Sequence, residues 1–271
     1  MEYIIERQHK FSLGLKELIR YRELFYFFTW RDIKVKYKQA ALGFLWAILQ
    51  PLVMMLIFTM ISTRLNVDNE GIPRPVFALS GLIIWNVFSN GLLNSANSMV
   101  ANANIIKKIY FPRLIVPMSS ILTALFDFCF ALLIYIVVVF IFQQSPDWWR
   151  VLYCLPIALV LTVLTTFGFG TFLAALNVKY RDFQYVLPFL IQLLLFVNPV
   201  LYSSKMFESG WQAWVMKLNP IANAINLCRN SFTGRPIEWD SIACGFAVAL
   251  FIFFIGIYTF RKTEAYFADL A

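Results

Sequence analysis

VPMSSILTALFDFCFALLIYIVVVFIF, residues 116–142, contains a single charged residue, Asp127. About 20 apolar residues suffice for a helix to cross the hydrocarbon core of a bilayer, and this run is longer. It lacks the period-two alternation of a barrel strand, and backbone groups cannot go unpaired in lipid, so the run is predicted to be a spanning helix. Working outward, the same composition recurs at about 40–63, 76–100, 151–176, 185–202 and 241–260, the fifth span in chain order being the shortest. The expected architecture is an all-α integral membrane protein with six spans, read as one domain over residues 1–271.

The whole chain agrees with that reading. It is 60% hydrophobic and 14% charged, against roughly 45–50% and 25% in soluble domains. This excludes a soluble globule, a disordered chain and a disulfide-rich secreted module. Six spans put both termini on one side, and that side carries 16 Lys and Arg against 7 on the other. The positive-inside rule then places both termini in the cytoplasm. The net charge of +8 therefore records orientation, and no nucleic-acid partner is inferred. The charged N-terminus has no apolar signal-peptide core, so insertion is expected to use the first span.

Several chemistries find no residues here. The one histidine, His9, excludes a His-built metal site and a Ser/His/Asp triad. There is no GxxxxGK[ST], no GxGxxG and no cluster of acids, so no catalytic or metal residue is assigned and no cofactor is expected in this chain. If ATP drives transport, its ATPase is another chain. The four cysteines read as small hydrophobes, although Cys228 and Cys244 could pair on the outer side.

Polar residues inside the spans are the sharpest functional signal. Asn86, Asn90, Asn94 and Asn97 follow spacings of 4, 4 and 3, which puts four carboxamides on one face of the second span. That face is either interhelical glue or the wall of a pathway for a hydroxyl-rich solute, because amides both donate and accept. Gln50-Pro51 and Asn198-Pro199 each set a polar residue before a helix-kinking proline, with Gln192 six residues before Asn198. Broken helices of this kind border cavities in transporters. Asp127 is expected to be paired, protonated or next to a water-filled cavity.

Outside the spans, residues 14–38 read as an amphipathic interface helix, with Tyr26, Trp30, Ile33 and Tyr37 on one face and Arg31, Lys34 and Lys38 beside it. It is either a topological anchor in the lipid surface or, in addition, a contact for a cytoplasmic partner. Residues 104–110 are predicted to form a short helix capped by Asn102 or Asn104, with Ile105, Ile106, Ile109 and Tyr110 as its apolar face and Lys107 and Lys108 beside it. Between the last two spans, Trp211 and Trp214 mark one short amphipathic helix, and Asn219-Pro220 starts a second. The second carries an amide stripe of Asn223, Asn226 and Asn230. The pair, about 207–232, reads as packing or as a gate dipping into the outer leaflet.

These segments together resemble a known family. FTWRDIKVKYKQAALG (28–43) with WAILQP (46–51), NANIIKKIYFPR (102–113), NVKYRD (177–182), NPVLY (198–202), and Asn219-Pro220 with Arg229 are similar to motifs of the polysaccharide-exporting ABC-2 permeases, most of all those of the O-antigen (lipopolysaccharide) exporters. Teichoic-acid and capsule exporters are near relatives. The resemblance implies a homodimer bound to two copies of a separate ATPase, with ATP and Mg on that ATPase. It implies export of an undecaprenyl-diphosphate-linked polysaccharide across the bacterial inner membrane. By the same resemblance, residues 14–38 and 104–110 would contact the ATPase, 207–218 and 220–232 would be periplasmic gate helices, and the pathway would run at the dimer interface beside spans one and five. The competing expectations are a secondary lipid or glycan flippase, for which Asp127 is the one intramembrane acid, and a membrane transferase, for which catalytic acids are scarce.

Overall fold

The computed structural model describes residues 20–38, 43, 45–180, 182–207 and 209–264. Readings that rest on residues 14–19, on the 39–42 part of the first motif, on Arg181, on Glu208 or on His9 lie outside these. All regular structure among the described residues is helical: α1 (Arg22–Lys38), α2 (Leu45–Arg64), α3 (Arg74–Ala101), α4 (Ala103–Ile106), α5 (Ile115–Ile141), α6 (Trp148–Lys179), α7 (Phe183–Val197), α8 (Trp211–Leu218), α9 (Pro220–Thr233) and α10 (Trp239–Thr263). Five of them, α2, α3, α5, α6 and α10, are long and apolar enough to cross a membrane.

α7 differs from the expected fifth span. It holds 15 residues, about 22 Å at 1.5 Å per residue, against a hydrocarbon core of about 30 Å. It ends at Val197 rather than running to 202, because Pro199 has no N–H to continue the ladder and holds Asn198 extended. Asn198-Pro199 thus terminates a helix, whereas α2 continues through Pro51.

α3 is the central helix. It packs on α5, α6 and α9 and is buried along most of its length. Small residues set the approach of its neighbours: a Cβ on Gly91 would stand 2.9 Å from the Thr166 methyl of α6. α6 packs in turn on α10 through Gly168 and Gly256. α2 and α7 are the least covered helices, with only Pro51 and Met55 buried on the first and Leu187 on the second.

The bundle has two distinct ends. At one, α1, the 102–113 segment and the end of α10 meet: Phe28 stacks near Phe111 at 5.5 Å, Arg31 donates to Asn102 Oδ1, and Arg113 donates to the Glu264 carbonyl. At the other, Glu70 between α2 and α3 accepts from Ser203 and Arg235 and lies 3.3 Å from Lys205, while Arg150 at the start of α6 donates to the Arg235 carbonyl. All four cysteines are free thiols, so Cys228 and Cys244 are not bridged.

Candidate transport groove

The four amides of α3 are the part of its central stretch that its neighbours leave uncovered. Residues 81–85 and 87–89 are buried, whereas Asn86, Asn90 and Asn97 are half-buried and Asn94 is exposed. They face a groove enclosed by α1, α2, α3 and α5. Its wide part measures about 850 Å³ and is lined by Asn90, Asn94 and Asn97 of α3, Ser120 and Thr123 of α5, and Gln50 of α2. That volume lies within the range of roughly 300–1,000 Å³ typical of ligand pockets. A narrower extension continues past Asn86, Tyr37, Trp46 and Asp127. Lys36, Gln50 and Asn90 line both parts.

Asp127 is paired. Lys36 donates to its Oδ2 and the Tyr37 hydroxyl to its Oδ1. Burial, and then the hydrogen bond to Asp127, push the Tyr37 hydroxyl well above its ordinary range, so it stays protonated and donates. Two adjacent residues at the end of α1 thereby fix that helix against the middle of α5. Helical periodicity puts Tyr37 on the amphipathic face of α1 and does not single out Lys36. The signal available was a lone intramembrane acid, which needs a cation, and a Lys-Tyr pair on the preceding amphipathic helix.

The remaining amides divide by what they meet. Asn86, Asn90, Asn94 and Gln50 make no side-chain hydrogen bond to another described residue, whereas Asn97 Oδ1 accepts from Asn177 Nδ2 at 2.9 Å. Gln192 and Asn198 lie outside this groove, at the fifth apolar segment. Gln192 is exposed on α7 of the single chain. Asn198 is buried, donates to the Leu194 carbonyl and accepts from Asn219, so it serves as a helix terminator.

α1 splits the face that periodicity gave it. Phe28, Ile33 and Tyr37 are buried, whereas Tyr26 and Trp30 stack on each other at 6.3 Å on the open side, with Lys34 over Trp30. Arg31 forms a 2.6 Å pair with Asp32 and also holds Asn102.

The predicted 104–110 helix is shorter and begins one residue earlier. Only Ala103–Ile106 is helical, Lys107 and Lys108 form a turn, and the chain bends at Ile109, because Pro112 lies too close for a second full helical turn. Asn102 precedes this helix without capping it through its side chain, which instead holds the end of α3. Ile106 is buried, while Ile109 and Tyr110 are 57% and 76% exposed, so the four apolar residues do not share a face. Ile106, Ile109 and Tyr110 line a shallow concavity of about 600 Å³ with Lys107, Lys108, Phe111 and Arg113, whereas Ile105 faces the groove.

The two outer helices also differ from each other. α8 lies on the surface with Trp211 and Trp214 exposed, whereas α9 is buried against α3, α6 and α10. The α9 amides are spent on neighbours: Asn219 caps the helix by accepting from the Ile221 and Ala222 N–H groups, Asn223 donates to the Lys217 and Ser241 carbonyls, Asn226 to Ser204 and Asn230 to the Pro236 carbonyl. Pro220 starts the helix as expected of a first-turn proline. Arg229, which the sequence marked only as a motif position, is buried among acceptors from two segments: Ser80 and Phe77 of α3, and the Pro199 and Val200 carbonyls.

Comparison with known proteins gives one consistent answer. The sequence model of the family described as ABC-2 type transporter matches residues 23–233. An O-antigen export system permease protein, RfbA, of Klebsiella pneumoniae is 29% identical over 265 residues, which cover 96% of this chain and 99% of that protein. RfbA of Myxococcus xanthus is 31% identical, covering 77% of this chain and 80% of its own length. The polysialic acid transport protein KpsM of Escherichia coli is 26% identical, covering 86% and 91%.

Proposed function

The chain belongs to the ABC-2 type transporter family, and from that premise we propose that it is the permease of an ATP-driven exporter moving an undecaprenyl-diphosphate-linked polysaccharide of O-antigen type from cytoplasm to periplasm. As a family member it is a multi-pass membrane transport protein rather than an enzyme. In the proposed arrangement two copies form the permease, and two copies of an ATPase subunit hold the ATP and Mg. The membrane is the bacterial inner membrane, with both termini on the cytoplasmic side. The end that gathers α1, the 102–113 segment and the end of α10 is then the cytoplasmic end. The weak cover over α2 and α7 supports a second copy beside them.

The observation that carries the reading is the amide-lined groove. Asn86, Asn90 and Asn94, three carboxamides of a spanning helix with no side-chain hydrogen bond to another described residue, suit a solute that exchanges hydrogen bonds as it slides. Asn90→Leu with Asn94→Leu is expected to cut export roughly thirty-fold, since each of the two lost hydrogen bonds contributes about 1 kcal/mol. Thermal stability should stay near that of the unaltered chain. Surface polysaccharide measured against permease level decides, and unchanged export would reduce the stripe to helix packing.

The exposed turn at the cytoplasmic end supports ATPase docking through Ile109 and Tyr110, with Lys107 and Lys108 flanking them. Residues on the open face of α1 (Trp30, Lys34) and beside it (Arg31), with Asn104, Ile105 and Ile106 behind the turn, complete the proposed contact. Replacing Ile109 and Tyr110 by Asp removes two apolar anchors of the kind that dominate interfaces, and co-purification of the ATPase should fall at least about ten-fold. Undiminished co-purification would remove the turn from the contact.

A further inference from the structure

Burial changes abruptly where α7 ends. Of its 15 residues only Leu187 is buried in the single chain, and Ile191, Leu194 and Leu195 are partly buried against the core. Among the described residues no side chain of α7 bonds to another helix. The residues that follow reverse this. Asn198, Pro199, Val200 and Ser203 are buried, and polar contacts hold them from several sides. Asn219 donates to Asn198 Oδ1 at 3.1 Å while capping α9, and Arg229 of α9 donates to the Pro199 carbonyl. Ser203 donates to Glu70 of the α2–α3 connection, and Asn226 of α9 donates to Ser204. A Cβ on Gly81 of α3 would stand 2.9 Å from the Val200 oxygen, so the backbone there is also wedged against α3. The helix and the segment after it are thus held by different forces. Apolar contacts have no direction and survive a turn of the helix, whereas hydrogen bonds fix distance and angle. Pro199 has no N–H and Asn198 is extended, so helical hydrogen bonding does not cross the break. At such a break a few residues absorb the φ/ψ change of a hinge. A 15-residue helix is a lever of about 22 Å, and a turn of about 15° moves its far end by about 6 Å.

We propose that residues 198–204 are a fixed pin and that α7 turns about Asn198-Pro199, so that two copies part at their cytoplasmic ends while their outer ends hold. This rests on the reading above that a second copy lies beside α7. The permease bound to its ATPase in lipid nanodiscs is spin-labelled at one position per chain, with Cys129 and Cys244 replaced by Ser and the buried Cys154 and Cys228 kept. The position is either Tyr185→Cys, 83% exposed near the start of α7, or Phe196→Cys, 67% exposed near its end. Each label then reports one distance between the two copies. On trapping with ATP and vanadate, the distance from position 185 should change by at least about 5 Å and that from position 196 by less than about 2 Å. Asn219→Ser still caps α9, because Ser caps about as well as Asn, but its hydroxyl is too short to reach Asn198. In that variant the distance from position 196 should broaden and export should fall about five-fold, the factor one hydrogen bond carries. Its melting temperature should stay within about 4 °C of that of the unaltered chain.

Equal changes at both positions, a larger change at 196 than at 185, no change at either, or an unaltered 196 distance in Asn219→Ser would each overturn the hinge. If Asn219→Ser does not fold, the two distances in the otherwise unaltered chain decide. The two readings fail differently. Dipolar signals at both positions that shift alike leave the second copy in place and remove only the hinge. No dipolar signal at either position, in a permease that still holds its ATPase, removes the copy beside α7 and the hinge with it.

Discussion

Gly256→Val is expected to leave no monodisperse protein after detergent extraction. Gly256 of α10 lies against the α6 backbone at Gly168. A Cβ there would stand on the Gly168 carbonyl oxygen and 2.7 Å from the Thr171 hydroxyl. The same crossing seen from the other side puts a Gly168 Cβ 2.7 Å from the Phe253 backbone N and Cα. Overpacking a core costs about 1–3 kcal/mol when side chains can shift, and occasionally more. Here the obstacle is backbone, so the cost belongs at the upper end. Small residues at such crossings are what lets helices associate in lipid, where no hydrophobic drive separates lipid from Leu. Leu250→Val, on the exposed side of the same helix, should stay within about 0.5 kcal/mol of the unaltered chain. Fluorescence-detected gel filtration after a heating series measures both, and a Gly256→Val chain as heat-resistant as the parent would contradict the crossing.

Arg229→Ala is expected to be nearly as damaging, for a different reason. The guanidinium is buried, lies 3.6 Å from the centroid of the Phe77 ring, and donates to Ser80 at 3.1 Å and to the Pro199 carbonyl at 3.0 Å. It joins α9 to the outer half of α3 and to the break after α7. Gly81 makes room for it, since a Cβ there would be 3.2 Å from Arg229 Nη2 and 2.9 Å from the Val200 oxygen. Removing the side chain strands these acceptors, at about 1–3 kcal/mol for each buried group left unsatisfied. A total loss of about 3 kcal/mol is expected, with a fall in both thermal stability and export. Arg229→Lys should recover only part, because an ammonium lacks the planar fork that reaches several acceptors at once. Full stability in Arg229→Ala would mean that α9 is held by its apolar face alone.

Arg229 also shows where sequence reading stops. Periodicity identified α9, its cap at Asn219, its proline start and its stripes. Periodicity leaves packing and an outer-leaflet gate both open for it, and the structure packs the helix against α3, α6 and α10. The stripe of Asn223, Asn226 and Asn230 has the same three-to-four-residue spacing as that of Asn86, Asn90 and Asn94, yet the first is consumed by neighbours and the second opens onto a groove and its narrow extension. Asp127 posed the same problem. Its cost in a membrane was evident, but its partner Lys36 lies 91 residues earlier in the chain.

The sequence alone determined the class of the protein, the number of its apolar runs and the faces on which amides gather. Those follow from composition and from the 3.6-residue period, which are local properties of a chain in lipid. The tertiary structure alone decided that α7 stops at Asn198, that α3 is the core, and that Asp127 is met by Lys36 and Tyr37 of α1. These depend on which helices touch, and contact is set by small-residue crossings and paired charges far apart in the chain, which no local pattern encodes.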